Sequence, residues 1–286
     1  MKQFKRIVGS ITLLAVSAGV QAGPIEDIFG QGQAQMNKQF ESISDDLASV
    51  FSYKAVSPAA SLAGGIIPVG FDVALDVSAT KLKKDSILTG AFPEALQDMA
   101  YVPFPKGHVQ VGIAIPFIPF VPAIDVGVQY MNFPGVFNHV GGELKVNIAG
   151  GNVLLPAVAV RGTFSNTGVT VDDKNLASMM TYGAELTVSK GFGIGLKVTP
   201  YGGIGYNMYS ASSSLTFQDI ADNQGIDTTI LNQYQSLDGT LLDDASGGQF
   251  KWFVGANLKL VALNFGYEMD KTGDAMTHTA KLGFVF

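Results

Sequence analysis

The chain has no cysteine among its 286 residues, so disulfide staples and thiolate chemistry are both excluded. Charge is scarce: Asp, Glu, Lys and Arg make up 15% of the residues, against about 25% in ordinary soluble domains. Histidine is limited to His108, His139 and His278. No two of them stand at a close ligand spacing such as i, i+4, so no metal centre and no cofactor is expected. Long apolar runs are missing too. The longest charge-free stretch, "VGIAIPFIPFVPAI", contains Pro116, Pro119 and Pro122, which a membrane-spanning helix would not tolerate.

What stands at the N-terminus reads as an export signal over residues 1–22. Lys2, Lys5 and Arg6 precede the apolar "IVGSITLLAVSAGV", and "VQA" before Gly23 offers small residues for cleavage. The apolar stretch is too short for the roughly 20 residues that a retained spanning helix needs. Removing those three bases takes the formal charge from −6 to −9, which makes nucleic acid a poor partner.

From about Gly70 onward the chain alternates apolar and polar residues in segments separated by turn chemistry. In "GFDVALDVSATKL", Phe71, Val73, Leu75 and Val77 oppose Asp72, Ala74, Asp76 and Ser78. The same period recurs in "HVQVGIAI", "AIDVGVQYM", "GELKVNIA", "AVAVRGTFS", "TYGAELTVS", "GIGLKVTPYGGIGYNMY", "QFKWFVGANLKL", "LVALNFGYEM" and "HTAKLGFVF". The pattern predicts ten strands, with a further hairpin over 48–64 as the route to twelve. Short connections alternate with long ones such as "NFPGVFN", "NTGVTVDDKNLASM", "DKTGDA" and the acidic stretch 210–248. Outer-membrane barrels show that alternation, with short periplasmic turns and longer external loops. The fold class is therefore all-β, an antiparallel transmembrane barrel of 10 to 12 strands over residues 53–286.

Alternation alone does not say which face is inside. The polar face is rich in small residues (Gly112, Gly127, Gly183, Gly205, Gly266 and Gly283), which suits a crowded lumen better than a water-facing sheet. Aromatic residues on the apolar face sort by height. Tyr130, Phe164, Tyr182, Tyr206, Trp252 and Tyr267 fall toward the long-loop ends of their strands, and Phe71, Phe117, Phe192, Phe284 and Phe286 toward the short turns. Two aromatic belts are what the two lipid interfaces select. By the same parity the lumen holds Asp72, Asp76, Asp125, Glu143, Glu185 and Glu268 with Lys145, Arg161, Lys197, Lys251, Lys259 and Lys281. Such a balanced set reads either as an ion-pair network filling a narrow barrel or as a polar conduit for a small solute.

The chain ends "THTAKLGFVF", with Ala280, Leu282, Phe284 and Phe286 at every second position. This tail resembles the C-terminal signature of bacterial outer-membrane β-barrel proteins. The resemblance implies recognition by the barrel-assembly machinery and insertion in the outer membrane of a Gram-negative bacterium. "PVGFDVALDVSATKL", "PAVAVRGTFS", "SKGFGIGLKVTPYGGIGY" and "TGDAMTHTAKLGFVF" together resemble a functionally uncharacterised family of exported proteobacterial barrels, which implies no activity and no catalytic residue.

Ahead of the barrel, residues 23–52 read as an amphipathic helix. Met36, Phe40, Ile43, Leu47 and Val50 follow three-and-four spacing, opposite Gln39, Ser42, Asp45 and Asp46. Two placements are open. In one the helix plugs the lumen from the periplasmic side, with Asp45 or Asp46 pairing to Arg161 or Lys197; in the other it lies on the periplasmic membrane surface.

The function expected is a narrow or gated pore for small solutes, with a non-conducting barrel acting through its external loops as the alternative. A lipid-modifying enzyme is the weakest reading. His278 stands between Thr277 and Thr279 with no serine in its segment, and "GFGIG" is a strand turn with no helix start after it. His108 and His139 should face inward about 10 Å apart across one strand. "DIADNQGID" offers oxygen ligands without the spacing of a Ca²⁺ loop.

Overall fold

A computed structural model describes residues 25–63, 68–81, 101–115, 123–133, 137–151, 154–171, 174–193, 195–214, 216 and 242–286. Helix α1 (Ile25–Phe51) comes first. Ten strands follow: β1 (Val69–Lys81), β2 (Tyr101–Ala114), β3 (Ala123–Phe133), β4 (Phe137–Gly150), β5 (Ala157–Val171), β6 (Lys174–Ser189), β7 (Leu196–Ser213), β8 (Ala245–Leu260), β9 (Leu263–Thr272) and β10 (Ala275–Val285). Each pairs antiparallel with its neighbour in sequence, and β1 closes on β10 from Asp72↔Val285 to Lys81↔Met276. The count among the described residues is ten. The hairpin that would have made twelve is instead the end of α1 and an irregular strap, residues 52–63, that runs inside the barrel.

Burial alternates along each strand with its apolar set outward. Val73, Leu75, Val128, Leu144, Ile204 and Leu282 are 50–57% exposed, while Asp76, Asp125 and Lys145 on the opposite face are at 0%. A soluble barrel of the same period would show the reverse, and a continuous apolar belt of this extent is a membrane surface. The barrel is transmembrane. Tyr130, Phe164, Tyr182, Tyr206 and Tyr267 all point outward and are exposed, and Trp252 points outward half-covered. Phe71, Phe192, Phe284 and Phe286 are exposed at the other rim, and Phe117 lies outside the described residues.

The wall is taller than its sequence suggests. "NFPGVFN", "NTGVTVDDKNLASM" and "DKTGDA" are mostly strand rather than loop. Beyond Phe164 and Tyr206, β5 and β7 continue for seven residues each, roughly 23 Å along the strand. There polar residues enter the outward face (Asn166, Thr170, Ser210 and Ser212) beside the exposed Met180 and Met208, while the inward positions include Met179, Tyr209 and Ala211. The contrast between the faces thus weakens just above the aromatic row and reverses toward the strand ends, where the wall leaves lipid for water. β2 gains height as well, despite Pro103 and Pro105. Residues 101–106 pair only with β1, and the β3 ladder begins at Gly107, so the missing N–H groups face no partner strand.

Both chain ends of the wall, Val69 and Phe286, lie at the end of the barrel that carries the 261–262 turn. Short turns of outer-membrane barrels face the periplasm, so the tall polar rim is external. Phe286 N donates to Phe71 O (2.9 Å) and Phe71 N to Phe286 O (3.0 Å). The terminal residue is therefore part of the closing ladder, and its ring stacks on Phe284 at 6.5 Å. Phe286→Asp keeps those backbone bonds. A charge at the lipid interface costs at most about 1 kcal/mol of barrel stability. The expected result is less assembled barrel, measured as the fast-migrating unboiled band, with little change in the urea midpoint of what does assemble. Wild-type amounts of that band would make the tail an ordinary strand.

Candidate functional site: the occupied lumen

The small lumen-facing residues leave space, and the chain's own N-terminal segment fills it. It does so from the external end. The last turns of α1 sit in the tall cup, where Ala48, Val50 and Phe51 pack on Phe104, Met131, Met179, Tyr209, Ala211 and Ala245, with Phe40 and Leu47 at the margin. Phe51 lies 5.4 Å from Phe104 and 6.2 Å from Phe137, ring centre to ring centre. This is the amphipathic stripe read from the sequence, facing protein rather than lipid. Expected placement on the periplasmic side is corrected, and so is the expected pairing of Asp45. Tyr209 Oη donates to Asp45 Oδ1 at 2.8 Å, and Gln249 Nε2 donates to the Asp45 carbonyl at 3.1 Å. Arg161 is engaged elsewhere, lower in the lumen, and Lys197 is at the opposite mouth. Asp46 is buried in the cup.

Helix α1 stops where the wall offers a substitute for its next backbone donor. Ser165 Oγ donates to the Phe51 carbonyl at 2.7 Å, satisfying one of the carbonyls that a helix end leaves free. The strap then descends through the lumen as irregular chain, with a turn of the backbone at Val56, whose φ is 39°. Twelve residues can span roughly 40 Å, enough to pass from cup to periplasmic mouth. Tyr53, Lys54, Ala55, Val56 and Ala59 are all at 0–1% exposure. A lone irregular segment has no strand to satisfy its backbone, so inward side chains of the wall do it instead. Gln129 Nε2 donates to the Lys54 carbonyl, Arg161 to Ser57 O (2.9 Å), Lys145 to Pro58 O (2.9 Å) and Asn147 to Ala59 O. In return, Ala60 N donates to Ser189 Oγ (3.1 Å), Leu62 N to Asp125 Oδ2 (3.2 Å) and Ser61 Oγ to Asp125 Oδ1.

Wall glycines mark the closest approach. A Cβ on Gly127 would stand 2.8 Å from Tyr53 Oη, and one on Gly141 would stand 2.9 Å from Tyr53 Cδ2. The aromatic ring fits because those two positions carry no side chain.

The strap contributes one charge to a network built by the wall. Lys54 Nζ pairs with Asp270 Oδ1 at 2.8 Å. Arg161 bridges Glu143 (3.2 Å) and Glu185 (3.0 Å), and Lys251 takes the other Glu185 oxygen at 2.7 Å. Lys145 pairs with Asp125 (2.8 Å), and Lys281 with Asp72 (2.7 Å). Asp76 receives Gln129 Nε2 and meets His108 Nδ1, both at 3.0 Å, and the far nitrogen of His108 lies 3.4 Å from Tyr53 Oη. Glu268 is buried at the same height. Of the twelve charged lumen positions read from the sequence, ten are buried within the wall's interior, whereas Lys197 and Lys259 open onto the periplasmic mouth.

Several lumen residues escaped sequence reading. Lys106 hides behind the prolines of "YVPFPKG", and Asp270 behind the loop-like "DKTG", although it stands two positions after the inward Glu268. Tyr53 and Lys54 sit in a segment that lacks alternation. Their signal was available in "SYKAVSPAAS", where small residues suited to a narrow channel surround one phenol and one ammonium.

His139 meets Thr167 Oγ1 at 2.9 Å in the cup. His278 faces outward with the Tyr267 hydroxyl 2.7 Å from its Nδ1. Thr277 and Thr279 point the other way, to Thr80 (3.0 Å) and Ser78 (3.1 Å) inside the wall. "DIADNQGID" lies outside the described residues. The end of that acidic stretch does touch the helix, since Asp243 N donates to Asn37 Oδ1 at 3.1 Å.

No protein-family model and no curated protein matches the chain. Solved structures similar to it are bacterial outer-membrane barrels. The translocator domain of the autotransporter NalP from Neisseria meningitidis is 7% identical, with 79% of this chain and 90% of that one covered, at a TM-score of 0.39. The attachment invasion locus protein Ail of Yersinia pestis is 10% identical over 77% and 100%, at 0.26. The transport unit of the autotransporter AIDA-I from Escherichia coli is 10% identical over 87% and 98%, at 0.33. These likenesses are of barrel to barrel and bring no activity to this chain, which is an outer-membrane-type β-barrel of ten strands with an occupied lumen.

Proposed function

We propose that this chain is an outer-membrane barrel held shut by its own N-terminal segment, and that its work is done at the cell surface. The surface in question is the external cup, the helix seated in it and the connections around it. One observation carries the reading: at mid-height the strap and its wall partners, from Tyr53 and Lys54 to Arg161, Glu185, Lys251 and Asp270, are all at 0–4% exposure. A solute has no path between groups so packed. The wall's continuation past the lipid belt, with polar residues outside and an apolar cluster gripping α1, supports a rigid external platform. In this reading the protein is exported, loses residues 1–22, contacts outer-membrane lipid through its belt and carries out no catalysis.

A gated pore for small solutes is the second reading, and one feature favours it. The strap is held mainly by hydrogen bonds and ion pairs, which water can replace, rather than by apolar packing. Planar-bilayer recording of the purified full-length protein separates the two. The platform reading predicts no step openings at any moderate voltage. Regular openings of uniform size would favour the pore.

A further inference from the structure

The periplasmic end of the lumen contains a cavity of about 550 Å³, roofed by the strap and walled by the lower strands. Its volume is that of a small-molecule site. Lys197 and Lys259 face each other across the β7–β8 ladder and both line it. Lys145 and Lys281 line it too, but each already holds an aspartate. Like charges directly opposite on a sheet repel, and among the described residues neither lysine of this pair has a carboxylate at ion-pair distance, unlike Lys145 and Lys281 beside them.

The cavity carries a second, independent feature. Asp72, Asn147 and Asn264 line it at 0–3% exposure. Each has one oxygen, Oδ1, with no protein donor. The other polar atoms of these side chains are spoken for: Asn147 Nδ2 donates to Ala59 O, and Asn264 Nδ2 to Asp72 Oδ2 at 3.0 Å. Those bonds orient the three free oxygens as acceptors. A buried acceptor without a donor is costly, so the site presents an unmet demand for hydroxyl or amide donors beside an unmet demand for negative charge.

We propose that this cavity binds a small polyhydroxylated anion of the sugar-phosphate class. The anionic group sits between Lys197 and Lys259, and the hydroxyls donate to Asp72, Asn147 and Asn264. Bare inorganic anions satisfy only the lysines, and neutral sugars only the acceptors. The strap forms part of the cavity lining through Ser57, Pro58 and Ala60, so the ligand would rest directly on the segment that closes the lumen.

Calorimetric titration of the full-length protein in non-ionic detergent at low ionic strength tests this, with glucose 6-phosphate, inorganic phosphate and glucose as probes. Low salt matters because exposed lysines are screened. The expected result is saturable one-to-one binding of glucose 6-phosphate, with phosphate weaker by roughly tenfold or more, the weight of lost hydrogen bonds to buried acceptors. Glucose should give no saturable heat. The double variant Lys197→Gln, Lys259→Gln should lose roughly tenfold or more in affinity for glucose 6-phosphate, with its unboiled gel migration unchanged. Absence of binding by both anions, or equal affinity in the double variant, would overturn the site. Equal affinity for phosphate and glucose 6-phosphate would overturn the assignment to a hydroxylated ligand.

Discussion

Deleting residues 25–63 is expected to turn a silent barrel into a conducting one. The deletion removes α1 and the whole strap, and with them the chain that fills the lumen from Phe51 to Ala63. The wall left behind is small and polar on its inner face, so water enters where the strap lay. Deleting residues 25–48 alone should have almost no effect. The strap would stay fixed by Gln129, Arg161, Lys145, Asn147 and Ser189, none of which touches the missing helix turns through the bonds described above. Both variants keep every strand, and the fast-migrating unboiled band reports whether each has assembled. Step openings in the longer deletion and none in the shorter one are the predicted pair. Should both conduct alike, the helix and not the strap would be the closure. A folded but silent longer deletion would mean that the wall closes itself. A milder variant, Tyr53→Ala with Lys54→Ala, should give brief, infrequent openings, because it removes the only ring and the only charge that the strap sends into the wall.

Arg161→Ala should be among the most destabilising single changes in the wall. The guanidinium at 1% exposure bridges Glu143 and Glu185 and also holds the Ser57 carbonyl and hydroxyl. Removing one partner of a buried ion pair leaves an uncompensated charge and typically costs about 3–5 kcal/mol. Glu185 keeps Lys251 at 2.7 Å, so Glu143 is the group stranded. Its neutralisation should therefore rescue: Arg161→Met with Glu143→Gln is expected to recover most of the loss, since replacing a whole buried pair is often close to neutral. Equilibrium unfolding in urea, followed by the band shift, measures both. A loss below about 1 kcal/mol for Arg161→Ala would show that water reaches this part of the lumen and screens the pair.

Much of the wall was legible because a strand in contact with lipid obeys a strict period of two, and the faces differ in kind. Val73 and Leu75 against Asp72 and Asp76 leave little choice once small residues mark the inner face. Legibility fails where that contrast reverses. In "FSNTGVTV" the outward residues become Asn166, Gly168 and Thr170, which resemble loop chemistry because water, not lipid, meets them. The strap was hidden for a different reason. Its environment is the same on all sides, so its side chains carry no alternation, and its structure is set by long-range bonds to six strands. Chain order alone points α1 to the periplasmic side, since α1 precedes a strand that starts at the periplasm. The length of the strap, about 40 Å when extended, is what allows the helix to sit at the opposite end.

The orientation of this N-terminal segment is the centre of the account, and labelling of single introduced cysteines on intact cells tests it most directly, the native chain having none. Lys38→Cys is on the exposed side of α1, at the rim placed outside. Lys197→Cys is exposed at the other mouth. With a membrane-impermeant maleimide, the account predicts that Lys38→Cys is labelled on intact cells and that Lys197→Cys is labelled only after the outer membrane is permeabilised. Labelling of Lys197→Cys on intact cells, with Lys38→Cys protected until permeabilisation, would contradict it.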